Sequence, residues 1–331
     1  MSQQTLLVGL VGSSILLLLT SVFIGPTSIG LDRTLAAFFF EGLIADETII
    51  WEIRLPRALA AYLVGMMLGL SGAALQGLLR NPLAEPGVLG VSASSSLFAT
   101  VSIYYGLTSI SGFMLPLAAI LGALVATLFL AFVAIRISSV VVLILIGVGL
   151  SSFSGALMSL LMNFAPNPFS LSDMVNWMMG TVANRSFDDL LLAAPFMLLG
   201  AFLLMASRSS LSALTLGEEV ATSLGVNLRR ARLAIVLGTG LCTGAAVSIA
   251  GAVGFVGIIA PHLVRRFVRY DPGSTLVPSA LLAGIILVIA DMFIRVVPTS
   301  VELKLGVVAA LFGAPVFILI ASQRLAGNFD D

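Results

Sequence analysis

The stretch WEIRLPRALAAYLVGMMLGLSGAALQGLLRNPLAEPGVLG, Trp51 to Gly90, decides the fold. Arg54 and Arg57 stand at its front, and from Ala58 to Leu79 it has no charged residue and carries glycine at 65, 69, 72 and 77. A polar, proline-broken elbow from Arg80 to Gly87 ends it. An uncharged run of this length can satisfy its backbone as a helix and cross the ~30 Å of bilayer hydrocarbon, which takes about 20 residues. Glycines let a neighbouring backbone come close. The stretch reads as a membrane helix built for close packing, with functional groups at both mouths.

The rest of the chain is of the same kind. Of 331 residues, 59% are hydrophobic and 10% charged, with mean hydropathy +1.13, whereas soluble domains carry about 25% charged residues. The apolar runs are continuous, without the alternation of a β-barrel, so an all-α polytopic membrane protein is expected. Zero net charge and one cysteine, Cys242 in an apolar run, point to neither nucleic acid nor a disulfide framework. The single lysine, Lys304, stands in VELKLG and cannot complete a phosphate-cradling G-x-x-x-x-G-K-[ST] loop. If ATP drives this chain, its ATPase is another polypeptide.

Apolar segments predict about ten crossings, near residues 6–24, 57–79, 90–107, 114–135, 140–163, 190–206, 233–252, 254–268, 275–297 and 303–321. The first run has no basic residue before it and exceeds a signal-peptide core, so it is expected to be a retained helix. The eighth is short and holds Pro261. With the N-terminus inside, Arg80, Arg136, Arg208, Arg229, Arg230, Arg232, Arg265, Arg266, Arg269 and Arg324 fall inside. Arg33, Arg54, Arg57, Arg185, Arg295 and Lys304 fall outside, a bias of the expected sign. Two polar segments are too long for turns. Residues 207–232 lie inside, with a Thr215-x-x-Glu218 helix start and a stop at Gly225. Residues 164–189 lie outside, with a short helix capped by Ser170 or Ser172 and Trp177 at the interface. A glycine-rich helix followed by a polar elbow occurs in both halves, around 65–87 and 238–273, which is compatible with inverted repeats.

The spacings Gly65/Gly69, Gly240/Gly244 and Gly251/Gly254/Gly257 read as helix packing. Met158/Met162 and Met174/Met178 read as adaptable packing rather than a soft-metal path. His262 reads as structural, having no second histidine to relay protons. Arg54 and Arg57 are either interfacial anchors or a docking site for external carboxylates, for which a planar guanidinium gives orientation. Asp291/Arg295 fits a local i, i+4 pair equally well. Only Asp291 puts an acid in an apolar run, near its end, which argues against ion coupling. Energy should enter through residues 207–232.

IRLPR (53–57), NPLAEPGVLGVS (81–92), LGEEVATSLGVN (216–227), GFVGIIAPHLVR (254–265) and LFGAPVFI (311–318), in this order, resemble the FecCD-type permeases of type II ABC importers for iron-siderophores, haem and cobalamin. The resemblance implies one permease domain over residues 1–331. It implies a homodimer of ten-helix subunits in the bacterial inner membrane, with two ATPase subunits holding ATP and Mg below and a periplasmic binding protein above. The permease itself would carry no cofactor, metal or catalytic residue. By position, Arg54, Arg57 and Arg295 look like the arginines that meet the binding protein. Asn81, Pro82 and Leu83, with Ser138, Ser139, Val140 and Val141, resemble the cytoplasmic gate. Leu216, Gly217, Glu218, Glu219, Ala221, Leu224 and Gly225 are similar to the ATPase-coupling helices. The pattern is broken at Lys304, where the family usually has proline, which adds positive charge near the outer mouth. The cargo would be an iron complex or, alternatively, cobalamin.

Overall fold

A computed structural model describes residues 3–27, 29–137, 139–298 and 302–326, with side chains in the last stretch to residue 318. The helices run α1 (Gln3–Phe23), α2 (Leu31–Phe38), α3 (Ile44–Thr48), α4 (Leu55–Leu79), α5 (Val91–Tyr104), α6 (Met114–Arg136), α7 (Val140–Asn163), α8 (Pro168–Met179), α9 (Phe187–Ala206), α10 (Arg208–Leu214), α11 (Glu218–Ser223), α12 (Leu228–Ala250), α13 (Val256–Arg265), α14 (Pro272–Val296) and α15 (Leu305–Ala326). No strand occurs among the described residues.

Each of the ten apolar segments contains a helix. Among the described residues, seven helices are long and apolar enough to cross a membrane: α1, the unbroken run Ile44–Leu79, α6, α7, α9, α12 and α14. The eighth segment forms α13, and with 10 residues it spans only about 15 Å. α5 has 14 residues and reaches about 21 Å. The sequence expectation was longer at both places. The expected span 90–107 runs past the end of α5 at Tyr104, and 254–268 runs past α13 at both ends, into the turn at Gly254 and Phe255 and the tight turn Arg266–Val268.

α4, α12 and α14 form the centre. α4 lies along α14 and α12, and α12 along α6 and α9. Glycine makes these approaches possible. A methyl on Gly69 would meet the Ser279 carbonyl oxygen of α14 at 2.5 Å, one on Gly244 would run into Ala123 of α6, and one on Gly72 into the backbone of Gly257 in α13. Around this centre α1, α6, α7 and α9 turn large apolar side chains outward, among them Leu16, Leu128, Phe153 and Phe202. Hydrocarbon is the solvent there, so such exposure is expected.

The helix starts follow local chemistry. Asn227, Asp271 and Ser139 each accept from the backbone N–H three residues on, and Ser186 and Asp189 form a reciprocal capping box. The outer helix α8 is capped by Asn167, with Pro168 at its first position, rather than by Ser170 or Ser172. Asn167 is already extended, and proline there is pre-set for the helix. Trp177 is not at an interface. It is buried with Ala99, Ile103, Ala119 and Met174, and the Arg185 guanidinium stands 5.6 Å from its ring. Burial pulls the Arg185 guanidinium below its ordinary value, against the opposing charge of Asp189.

Candidate docking, gate and coupling sites

At the outer mouth the helix leading into α4 widens into a π-helical turn over Ile49–Arg54. Pro56 gives the reason: it has no N–H for the Glu52 carbonyl, and its ring pushes that carbonyl away. The wide turn aims Arg54 inward. It is 3% exposed and donates to the carbonyls of Val22 at 2.8 Å and Thr27 at 2.5 Å, which ties α4 to the end of α1. Arg295 does the same from α14, donating to the carbonyls of Ser21 and Ile24, both at 2.9 Å. Arg57 Nε donates to Asp291 at 2.8 Å, and its Nη2 lies 2.5 Å from Glu302. Arg295 Nη2 also lies 2.6 Å from the Asp291 carboxylate, the i, i+4 pair expected from sequence, but off the hydrogen-bond line, so it is a contact of charges.

All three arginines are therefore engaged inside the protein. Arg57 and Arg295 meet the carboxylates Asp291 and Glu302, whereas Arg54 is held by carbonyls alone. Of the three, Arg57 keeps the most exposed side chain, at 12%, beside a Glu302 side chain that is 41% exposed. The sequence could not separate inward from outward arginines, because their partners are carbonyls of α1 and a carboxylate 234 residues away from Arg57.

At the other end of α4, Arg80 adopts a left-handed conformation, φ 47°, and stops the helix. Asn81 Oδ1 accepts from Leu83 N at 3.0 Å, closing a side-chain turn that places Pro82 and Leu83. The elbow then folds back against α7: Ser151 Oγ donates to the Gly87 carbonyl, and Gly147 leaves no room for a side chain against Val88 and Leu89. The elbow thus packs on α7 at Gly147 and Ser151, beyond the expected gate residues at the start of that helix, which Ser139 caps and Val140 and Val141 open. Ser138 lies outside the described residues. Three residues that the sequence did not single out also meet here. The buried Gln76 amide faces the carbonyls of Ala84, Gly257 and Ile258, while its oxygen accepts from Arg265. Glu85 Oε1 accepts from Phe255 N at 2.6 Å. A lone Gln in the uncharged Ala58–Leu79 run was the available signal.

On the arginine-rich face, α10 packs on α14 and α4, with Leu211 buried against Gly77. α11 starts at Glu218 without a side-chain cap, and Thr215 instead closes α10 by donating to the Ser212 carbonyl. Gly217 and Gly225 bound α11 at φ 108° and 87°, values that side chains rarely adopt. Ala221 is buried, whereas Val220 within α11 and Leu216 and Leu224 on either side of it are exposed and apolar. Glu218 is paired with Arg232 of α12 at 2.7 Å, and Glu219 is exposed. Below, Asp271 caps α14. Burial raises its carboxyl, but hydrogen bonds from Ser212 and Ser274 and the charge of Arg208 outweigh this and hold it below the ordinary carboxylate range.

Residues 13–323 match the FecCD transport family. The chain belongs to that family. It is 40% identical over 85% of its length to the ABC transporter permease protein YvrB of Bacillus subtilis (80% of that protein), and 40% identical over 84% to the vitamin B12 import system permease protein BtuC of Salmonella typhi (85% of that protein). A solved transporter assigned to the metal-chelate ABC type, in an inward-facing conformation, superposes with a TM-score of 0.86 at 30% identity, covering 97% of this chain and 99% of that one. This FecCD protein is the permease subunit of a type II ABC importer, a multi-pass protein of the bacterial inner membrane.

Proposed function

We propose that this permease carries an iron complex, a siderophore or haem, from a periplasmic binding protein to the cytoplasm through a homodimer of this chain. Two ATPase subunits that hold ATP and Mg drive it, and the permease performs no covalent chemistry. The observation that carries the coupling assignment is the exposed apolar trio Leu216, Val220 and Leu224, on and immediately beside the short helix α11: an apolar surface in the aqueous zone needs a partner groove. A push on α11 reaches α12 through Glu218–Arg232. It reaches α14 and α4 through α10, and α4 ends in the elbow. That is a two-state element which nucleotide can bias.

Docking of the binding protein is assigned to the outer face built on Arg54, Arg57 and Arg295. Arg57 offers the accessible edge, while Arg54 and Arg295 fix the shape of the mouth. Likeness to a transporter assigned to the metal-chelate type supports the cargo class. A second reading, cobalamin, is favoured by the 40% identity to vitamin B12 import permeases. The test is co-purification with the ATPase and uptake of labelled ferric chelates, haem and cobalamin in proteoliposomes. Leu216→Ser/Val220→Ser/Leu224→Ser should lose the ATPase while the permease stays folded, and an ATPase that remains bound would refute the coupling assignment. Cobalamin uptake without iron-complex uptake would overturn the first cargo reading in favour of the second.

A further inference from the structure

Phe255 has φ 67°, a left-handed conformation that a bulky side chain occupies only when its surroundings compel it. Two contacts hold it. The Glu85 carboxylate accepts its N–H at 2.6 Å, and its ring stacks edge-on to Phe317 at 6.4 Å. The N–H is one of the unpaired donors at the start of α13, where a negative charge is favoured. Glu85 is contributed by the elbow, across a cavity of about 190 Å³ lined by Leu68, Ser92, Ala252 and Gly257 among others.

The opposite end of α13 is held by the same unit. Arg265, its last residue, donates to Gln76 near the end of α4, and the Gln76 amide reaches back to Ala84 of the elbow and to the Gly257 and Ile258 carbonyls. Gly257 packs against Pro86, with 2.9 Å between the position of an added methyl and the proline ring. α13 is thus clamped at both ends and along its side to the α4–elbow unit.

We propose that Glu85 is a positioning residue that locks the elbow to the start of α13, so that the gate segment Asn81–Leu83 and α13 move as one body during transport. The inference rests on the permease reading above. Glu85 touches no cargo in this role; it acts through the Phe255 amide.

The first experiment needs no transport activity: hydrogen exchange of the Phe255 amide in the purified chain in lipid nanodiscs. Charge-assisted hydrogen bonds are among the stronger ones, so Glu85→Ala should speed exchange by at least about tenfold. Glu85→Gln keeps an acceptor at the same reach and should retain most of the protection. Glu85→Asp is one methylene short, preserves charge, and should exchange fast; it is the readout if the alanine variant does not insert. The second experiment is uptake per assembled complex, expected to fall in Glu85→Asp and to recover in Glu85→Gln. Unchanged Phe255 exchange in Glu85→Asp overturns the proposal, as does faster exchange with unaltered uptake. A wild-type complex that takes up none of the three chelates fails the cargo reading alone and leaves the exchange result standing.

Discussion

Asp291 has no exposed surface and meets guanidiniums from two helices, so its carboxylate is a knot joining α4 to α14 at the outer mouth. Removing Asp291 takes the carboxylate from the buried Arg295 and leaves Arg57 only the partly exposed Glu302, and stripping a buried charge of its countercharge costs about 3–5 kcal/mol. Asp291→Ala should therefore lower thermal stability in detergent by an amount in that range. Glu302→Gln should cost under about 1 kcal/mol, because the pair it breaks is partly in water. Equal losses would contradict the division between buried and rim charges. Asp271 gives a pH-dependent counterpart. Its carboxyl is held below the ordinary range, so its charge contributes stability above the unfolded value near 4 and loses it as pH falls through the lower folded value. Asp271→Asn keeps an acceptor at the cap and should cost about 0.3–1 kcal/mol at pH 7, a difference that vanishes in acid. Asp271→Ala, with no acceptor, should cost about 1 kcal/mol more. Denaturation curves from pH 7 down to about 2, below the ordinary carboxylate range, decide this.

At the scale of elements, the contact of α4 with α13 hangs on a hydrogen atom. A methyl on Gly72 would sit in the Gly257 backbone, and overpacking of this sort costs about 1–3 kcal/mol. Gly72→Ala should destabilise the permease by that amount and speed exchange in α13 before α9, whereas Gly149→Ala, with open space around it, should change neither. This also shows what could be read beforehand. Long uncharged runs announced the helices, since only a helix can carry such a run through hydrocarbon. Glycine spacing announced the packing at Gly65/Gly69 and Gly240/Gly244, but not at Gly251/Gly254/Gly257: Gly251 ends α12 at φ 67° and Gly254 lies in the connection to α13, so that series is a turn rather than one helix face. The shortness of α5 and α13 was hidden because residues beyond their ends, such as Leu107, Phe255 and Val268, are as apolar as those that span. Trp177 pointed to an interface by residue type, yet the fold buries it. The inward aim of Arg54 depends on the turn that Pro56 imposes and on carbonyls of another helix, neither of which has a local signature. Gln76, Glu85 and Arg265 are drawn together over gaps of up to 189 residues, a proximity that no spacing in one sequence records.

For the molecule as a whole, the heavier share of arginines on the α10–α11 side sets the orientation. The one native cysteine is buried, which makes a thiol map simple. Leu216→Cys should react with a membrane-impermeant reagent in inverted vesicles and not in spheroplasts, and Phe169→Cys on α8 should show the reverse. The opposite pattern would turn the protein over and exchange its two mouths. The α3-to-α4 helix is unbroken over 36 residues, roughly 50 Å at helical rise, well beyond the hydrocarbon it crosses. A rod of that length is a lever. A tilt of about 5° about its outer end would carry its inner tip by some 4 Å, roughly the width of a methyl group, so a slight rocking at one surface is felt at the other as a full steric event. Between the anchored arginines and the elbow no flexible joint intervenes, and the two surfaces of the membrane share a single moving part.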